Sequence, residues 1–307
     1  MATVLITGAN GFIGRPLAAT LHAHGDTVHA LDLAPDVAVP YEQHCDDLGS
    51  AQRLERLLRE NGIDRVVHGA GVSGPLLARD APFRVIEANV FGSLNLLEAA
   101  RRAGIARLVN LSSAAACGPT DGLVGDDAER RPVDVYGASK AAVELMYAAY
   151  AECLSLSAVT LRLPTVYGPG SRMSCVVATM ISESLAQRPV NLAWGRGYAC
   201  PYLFVDDAVA AIRGALDAPA PPLRTYNISG PEHVAVETIK ELVEQHIPGA
   251  RISLGAGPPL PGYARGRMDI RAAQRDLGYR PRVDIASGVA RCVAWLRTMQ
   301  AGAAGVH

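Results

Sequence analysis

Thr3-Val-Leu-Ile-Thr7 runs straight into Gly8-Ala-Asn-Gly11-Phe-Ile-Gly14, and helical periodicity then continues to about His24. An apolar strand, three glycines at three-residue spacing and a helix admit few folds. Such a turn needs a residue that tolerates positive φ, a backbone that can approach an anion closely, and tight helix-on-strand packing. The free N–H groups of the helix's first turn then meet that anion with a partial positive charge. The stretch therefore predicts a dinucleotide pyrophosphate at Gly8, Gly11 and Gly14, although the spacing differs from the commoner Gly-x-Gly-x-x-Gly.

The pattern repeats downstream. Strands are predicted at Val28–Leu31, Gln43–Cys45, Arg65–His68, Arg107–Leu111, Ala158–Leu161 and, as the last one, Thr225–Ile228. Helices are predicted between them at Ala51–Asn61, Ala81–Ala103 and from Tyr136 to about Leu154, then at Ser174–Gln187, Ala208–Leu216, Val236–His246 and Ala286–Met299. Strands alternating with helices at this spacing imply an α/β fold with a doubly wound parallel sheet of Rossmann type.

Composition removes several classes of function. The chain has 307 residues, 49% hydrophobic and 19% charged, enough for a substantial core. A net charge of -1 with no basic cluster argues against a nucleic-acid partner. No apolar run approaches the roughly 18 residues that span a bilayer, so no membrane association is expected. The N-terminus enters a strand at once, without a signal-peptide pattern. The six cysteines lack metal-type spacing and read as reduced thiols of a cytoplasmic protein. The eight histidines show no ligand pattern either, so no metal is expected.

Asp32 ends the second strand, about 18 residues past Gly14. A carboxylate there accepts bonds from the adenosine ribose hydroxyls and repels a 2′-phosphate, and Leu33-Ala34 supplies no arginine for one. NAD is thus expected rather than NADP. Tyr136 and Lys140 share one face of a helix, being four residues apart. A free phenol titrates near about 10 and is a poor base at neutrality. An ammonium about 4 Å away, at an effective dielectric near 20, favours the phenolate by about 4 kcal/mol. Such a pair can move the proton of an alcohol or ketone.

These motifs together resemble the extended short-chain dehydrogenase/reductases, specifically the NAD-dependent epimerase/dehydratase family, over nearly the whole chain. Thr7–Gly14 resembles the family's cofactor loop, Asp47-Leu48 its adenine contact, and His68-Gly69-Ala70-Gly71 the segment beneath the cofactor. Asn89-Val-Phe-Gly92 is similar to the start of its long central helix, and Leu108-Val-Asn-Leu111-Ser112-Ser113 with Cys117-Gly118 resembles the strand and loop of the catalytic hydroxyl. The resemblance implies Ser113, Tyr136 and Lys140 as catalytic residues. It implies cofactor contacts at Gly8, Asn10, Gly11, Phe12, Ile13, Gly14, Asp32, Asp47, Leu48, Gly69, Ala70, Gly71, Asn89, Leu111, Tyr136, Lys140 and Pro164. Substrate-lining positions are expected at Ser73, Ser112, Ser113, Thr165, Arg172, Met173 and Ser174. It further implies an NAD-binding unit of residues 1–165 plus 204–229 and a substrate lobe of 166–203 plus 230–307. Ala81–Ala103 and the Tyr136 helix resemble the helices through which such enzymes often form homodimers.

Several positions depart from the family pattern. Thr165 stands where members acting on nucleotide sugars tend to carry asparagine, and Cys200 where they tend to carry an arginine five residues before Val205. A second arginine, upstream of Asp269, falls near Pro258-Pro259, with Arg196, Arg265 or Arg267 as replacements. Each loss removes a charge-assisted donor to a diphosphate. Ala114-Ala115 replaces the Asp-Glu pair of the dehydratases, and Cys117 replaces a tyrosine. The expected function is an NAD-dependent oxidoreductase acting on a secondary alcohol of a small sugar, sugar acid or polyol. The alternatives are a nucleotide-sugar epimerase with tightly bound NAD and, more remotely, a non-catalytic NAD-binding regulator.

Overall fold

Along the first strand, Val4 and Ile6 point to one side of the sheet and Leu5 to the other, and all three are buried. Burial on both faces is the mark of a parallel sheet covered by helices twice over. The computed structural model describes residues 1–36, 39–74, 79–171, 175–259 and 263–304. Its main sheet has seven parallel strands: β1 (Thr3–Thr7), β2 (Thr27–Asp32), β3 (Glu42–Cys45), β4 (Arg65–His68), β5 (Arg107–Ser113), β7 (Ala158–Leu163) and β11 (Thr225–Asn227). Their order is β11-β7-β5-β4-β1-β2-β3.

The strand order reverses between β1 and β4, where Thr7 pairs with His68. Ligands of open α/β sheets bind at such a switch point, beyond the carboxyl ends of the strands. Leu17, Ala18 and Leu21 of α1 (Gly14–Ala23) pack on one face, together with Ala208 and Ile212 of α7 (Val205–Asp217). The other face is covered by α2 (Ala51–Glu60), α4 (Gly92–Ala103) and α5 (Val135–Leu154), through Leu54, Leu58, Leu96, Leu97, Val143 and Tyr147.

The predicted helix over Ala81–Ala103 is interrupted. It consists of α3 (Pro82–Ile86), a π-helical turn at Glu87–Phe91, and α4. The turn aims Asn89 inward, where its amide accepts from Val72 N at 2.8 Å and donates to Val72 O at 3.0 Å and Ser139 Oγ at 3.0 Å. Those bonds compensate the widened backbone, a common use of π turns.

Thr225–Asn227 is not the final strand. Three more follow, and the second half holds short strands that sequence periodicity misses. β8 (Thr165–Tyr167), β10 (Ala199–Phe204) and β12 (His233–Ala235) form one sheet. β9 (Val190–Trp194) pairs with β13 (Ile252–Gly257), and β6 (Leu123–Val124) with β14 (Arg267–Met268). Around them lie α6 (Val176–Leu185), α8 (Val236–His246), α9 (Arg271–Asp276) and α10 (Ile285–Ala304). All six cysteines are free thiols. No helix among the described residues is long and apolar enough to cross a membrane.

Candidate active site

Gly8 leaves β1 with φ +72, and a Cβ there would lie 2.7 Å from Ala70 N, so no other residue fits without displacing backbone. The loop is closed by Gly11 N donating to Gly8 O at 3.0 Å. Gly69 N donates to Thr7 O at 3.0 Å and Ala70 N to Thr7 Oγ1 at 3.3 Å, so the Gly69–Gly71 segment lies directly beside the loop. Phe12, Ile13 and Gly14 lead into the first turn of α1.

Asp32 sits half-buried at the end of β2 with both oxygens oriented. Asn10 N donates to Oδ2 at 2.9 Å and Leu33 N to Oδ1 at 2.8 Å. Each oxygen keeps a free lone pair for a ribose hydroxyl. Arg15, the nearby cation that a 2′-phosphate would seek, is already paired with Asp36 at 3.0 Å. These residues fit NAD. Leu48 packs where a Cβ on Gly92 would meet it at 3.1 Å, while Asp47 caps Gly49 N at 2.9 Å and pairs with Arg53.

Ser113 ends β5, and Tyr136 and Lys140 lie on the first turns of α5, which Asp134 caps by accepting from Gly137 N at 2.7 Å. The two elements meet closely: a Cβ on Gly137 would lie 2.4 Å from Ala115 O, in the turn after Ser113. Lys140 Nζ donates to Leu111 O at 2.9 Å and lies 5.9 Å from the Tyr136 ring centroid. Ser113 Oγ accepts from Ala115 N at 3.2 Å, which leaves its proton for another acceptor. All three side chains are only half-buried. The predicted catalytic residues are thus brought together beside the glycine loop.

His68 is buried under this floor. Thr7 Oγ1 and Ser93 Oγ each lie 2.8 Å from a ring nitrogen, and Ser93 Oγ itself donates to Asn89 O. That assigns the ring proton to Nε2 and the Thr7 hydroxyl proton to the Nδ1 contact. Burial, aided by the Lys140 charge, pushes the imidazole down to about 3. It is a neutral scaffold residue.

Ser112 does not reach the substrate side. It is buried, and its hydroxyl donates to Glu144 Oε1 at 2.6 Å. The alternation along β5 turns it away from the face that Ser113 presents. Glu144 is also held by Arg162 at 2.7 Å and Arg130 at 2.8 Å, while Arg162 Nη1 donates to Asn227 Oδ1 at 3.1 Å. This network was missed from sequence. A charge inside Ala-Val-Thr-Leu-Arg162-Leu was the available signal, because a strand buried on both sides must pair it.

Pro164 is buried at the junction of β7 and β8, and Thr165 begins β8 opposite Tyr202. Ser73 is exposed, just past the Asn89-bound Val72. Arg172, Met173 and Ser174 lie outside the described residues. Cys200 and Cys117 are both buried, and burial pushes both thiols up. Of the three replacement arginines, Arg267 is exposed and Arg196 Nη2 donates to Leu254 O at 3.3 Å, whereas Arg265 turns inward.

A cavity between α6 and α10, lined by Tyr167, Ser182, Cys292 and Leu296, is roomier than the cleft at Arg265 but is lined by none of Ser113, Tyr136 and Lys140. His29, Glu42 and His44 are the one group of three potential metal ligands among the described residues. His29 Nδ1 and His44 Nε2 are 3.1 Å apart, with rings 15° from parallel and centroids at 5.3 Å. The two rings share an N–H···N hydrogen bond, and Glu42 lies 3.6 and 3.8 Å from the same two nitrogens.

Residues 4–229 match the model of the NAD dependent epimerase/dehydratase family, and the chain belongs to that family. It is 26% identical over 95% of its length to UDP-glucuronate 4-epimerase 1 of Arabidopsis thaliana, covering 76% of that protein. It is 28% identical over its full length to a dTDP-glucose 4,6-dehydratase of Xanthomonas campestris, covering 96% of it. Among solved structures, MoeE5 in complex with UDP-glucuronic acid and NAD superposes with a TM-score of 0.87 at 28% identity, covering 97% of this chain and 100% of that one. The Thermus thermophilus UDP-glucose 4-epimerase complex with NAD gives 0.85 at 28% identity, over 96% and 99%. The chain is an NAD-dependent enzyme.

Proposed function

We propose that this member of the NAD-dependent epimerase/dehydratase family is a nucleotide-sugar epimerase, inverting one carbinol carbon with NAD kept in place. The expectation of a net dehydrogenase has weaker support, since the similar proteins are named as epimerases and dehydratases. The observation that carries the choice is the pairing of an acid/base set with an alanine turn. Tyr136 and Lys140 adjoin Ser113, but Ala114 and Ala115 follow it where dehydration would need an acid and a base.

In this reading Tyr136 takes the proton of the reacting hydroxyl and later returns it to the same oxygen, after the keto sugar has turned its other face. Ser113 Oγ donates to the same oxygen, for which its proton is available. Lys140, tied to Leu111 O, keeps a positive charge beside the phenolate. When bound, NAD supplies the hydride chemistry. Lys140 and Asp32 would hold its two riboses, Leu48 would border the adenine, and the Gly8 loop would take the pyrophosphate.

Residues 166–203 and 230–307 act as the substrate lobe. Homodimer formation through α4 and α5 is supported by exposed Phe91, Leu94 and Leu145 on those helices and the turn before them. The free thiols suit a reducing compartment.

Incubation of purified protein with UDP-glucuronate and UDP-glucose tests the reading. An isomerised sugar without net NADH supports it. Stoichiometric NADH would restore the dehydrogenase, and a keto-deoxy product would mean dehydration.

A further inference from the structure

The strap Tyr263–Met268 is fastened to the segment that follows Cys117. Thr120 N donates to Ala264 O at 3.2 Å, Gly266 N to Thr120 Oγ1 at 3.0 Å, and Arg267 N to Gly122 O at 2.8 Å. From the other side, His233 Nε2 lies 2.8 Å from Arg265 O. Arg265 is thereby held against a small cleft whose walls include Ala114, Cys117 and Pro201. Ala114 is the residue after Ser113.

The guanidinium in this cleft lacks a counter-charge. Its Nε is enclosed without a hydrogen-bond partner, as is the hydroxyl of neighbouring Tyr263, whose ring centroid is 5.4 Å away. No carboxylate among the described residues forms an ion pair with it. The contrast is Arg162, which is completely buried but paired with Glu144. A desolvated cation without an anion is costly, and a ligand anion approaching the guanidinium from the Ala114 side would relieve that cost.

Position decides which anion. The cleft lies beside the turn that carries on from Ser113, since Ala114 is one of its walls. A sugar whose reacting hydroxyl met Ser113 would bring a group on the adjacent ring carbon nearest to Ala114 and so to Arg265. In a 4-epimerisation the diphosphate leaves from the opposite end of the ring, while a uronate carboxylate hangs from the adjacent carbon.

We propose that Arg265 binds a carboxylate carried on the sugar ring and makes the enzyme selective for a nucleotide uronate over the corresponding neutral hexose. The planar fork of arginine suits a carboxylate through two parallel bonds. This specificity role rests on the nucleotide-sugar reading above.

The test compares UDP-glucuronate, UDP-glucose and free glucuronate as ligands and substrates of wild type, Arg265→Gln and Arg265→Lys, with melting temperature and bound NAD as controls of folding. Arg265→Gln should weaken UDP-glucuronate binding and kcat/KM about ten- to a hundred-fold, with less than about threefold change on UDP-glucose, and Arg265→Lys should recover part of the loss. Equal losses on both nucleotide sugars, or no loss on the acid, would overturn the proposal while leaving the epimerase reading intact. Arginine-dependent binding of free glucuronate without any nucleotide-sugar binding would overturn the nucleotide-sugar reading, and the selectivity for a nucleotide uronate with it, leaving only the carboxylate contact of Arg265.

Discussion

Lys140 Nζ donates to the carbonyl oxygen of Leu111 at 2.9 Å, so the ammonium is tied to the strand that ends in Ser113. One bond thus sets the helix carrying Tyr136 against the strand that ends in Ser113. It also leaves the ammonium two further donors, which the proposed function gives to the phenol and a ribose.

Tyr136→Phe removes the hydroxyl assigned to proton transfer and keeps the ring, and with it most of the expected cofactor contact. Turnover should fall by about a hundred- to ten-thousand-fold, with NAD content unchanged. Lys140→Met should lose NAD as well as turnover, because the ammonium serves both. Cofactor released on denaturing the purified variants, measured beside their rates, checks the split. Full turnover by Tyr136→Phe would refute the assigned chemistry.

Glu144 collects Ser112 at 2.6 Å, Arg162 at 2.7 Å and Arg130 at 2.8 Å, and both it and Arg162 are closed to solvent. Glu144→Gln strips the negative charge and leaves a buried guanidinium facing an amide. A loss of about 3–5 kcal/mol in unfolding free energy is expected, read from urea denaturation. The exposed pair Arg188–Glu183 gives the comparison: Glu183→Gln should leave the urea midpoint nearly unchanged.

That contrast also separates what is legible in sequence from what is not. The glycine loop, Asp32 and the Tyr136–Lys140 pair are contiguous motifs whose geometry is local to one turn or one helix face. The substrate lobe is different. Leu123–Val124 finds its partner at Arg267–Met268 and Val190–Trp194 finds its own at Ile252–Gly257, and such short strands carry no periodicity of their own. Glu144 lies one helical turn beyond Lys140, so it reads as another solvated charge until Arg162 is seen opposite it. The π turn is equally silent in sequence, since Asn89 makes it necessary only through Val72 and Ser139.

His68 should make stability fall with acidity. Its folded value near 3 lies below the ordinary 6.5. Between those values the unfolded chain binds a proton that the folded chain refuses. The stabilisation is therefore complete above about pH 6.5 and is lost as pH falls toward about 3, at no more than about 1.4 kcal/mol per pH unit. Unfolding free energies from pH 7.5 to 4.5 measure the slope. His68→Gln, which has no titrating ring, should flatten it. An identical slope in the variant would assign the acid sensitivity elsewhere.

Asp32 offers the sharpest test of cofactor choice, because its carboxylate is oriented before any ligand arrives. Asn10 N and Leu33 N each hold one oxygen, and the remaining lone pairs face outward from the strand end. Asp32→Ala removes two charge-assisted acceptors and should weaken NAD about ten- to a hundred-fold. It also removes the repulsion against a 2′-phosphate, so NADP should lose far less or gain. Adding Asp36→Asn should free Arg15 from its 3.0 Å pair and improve NADP further. Fluorescence titration of each variant with both cofactors separates the possibilities. Equal losses for NAD and NADP would mean that Asp32 acts by bracing the glycine loop through Asn10, and that the ribose is read by another group.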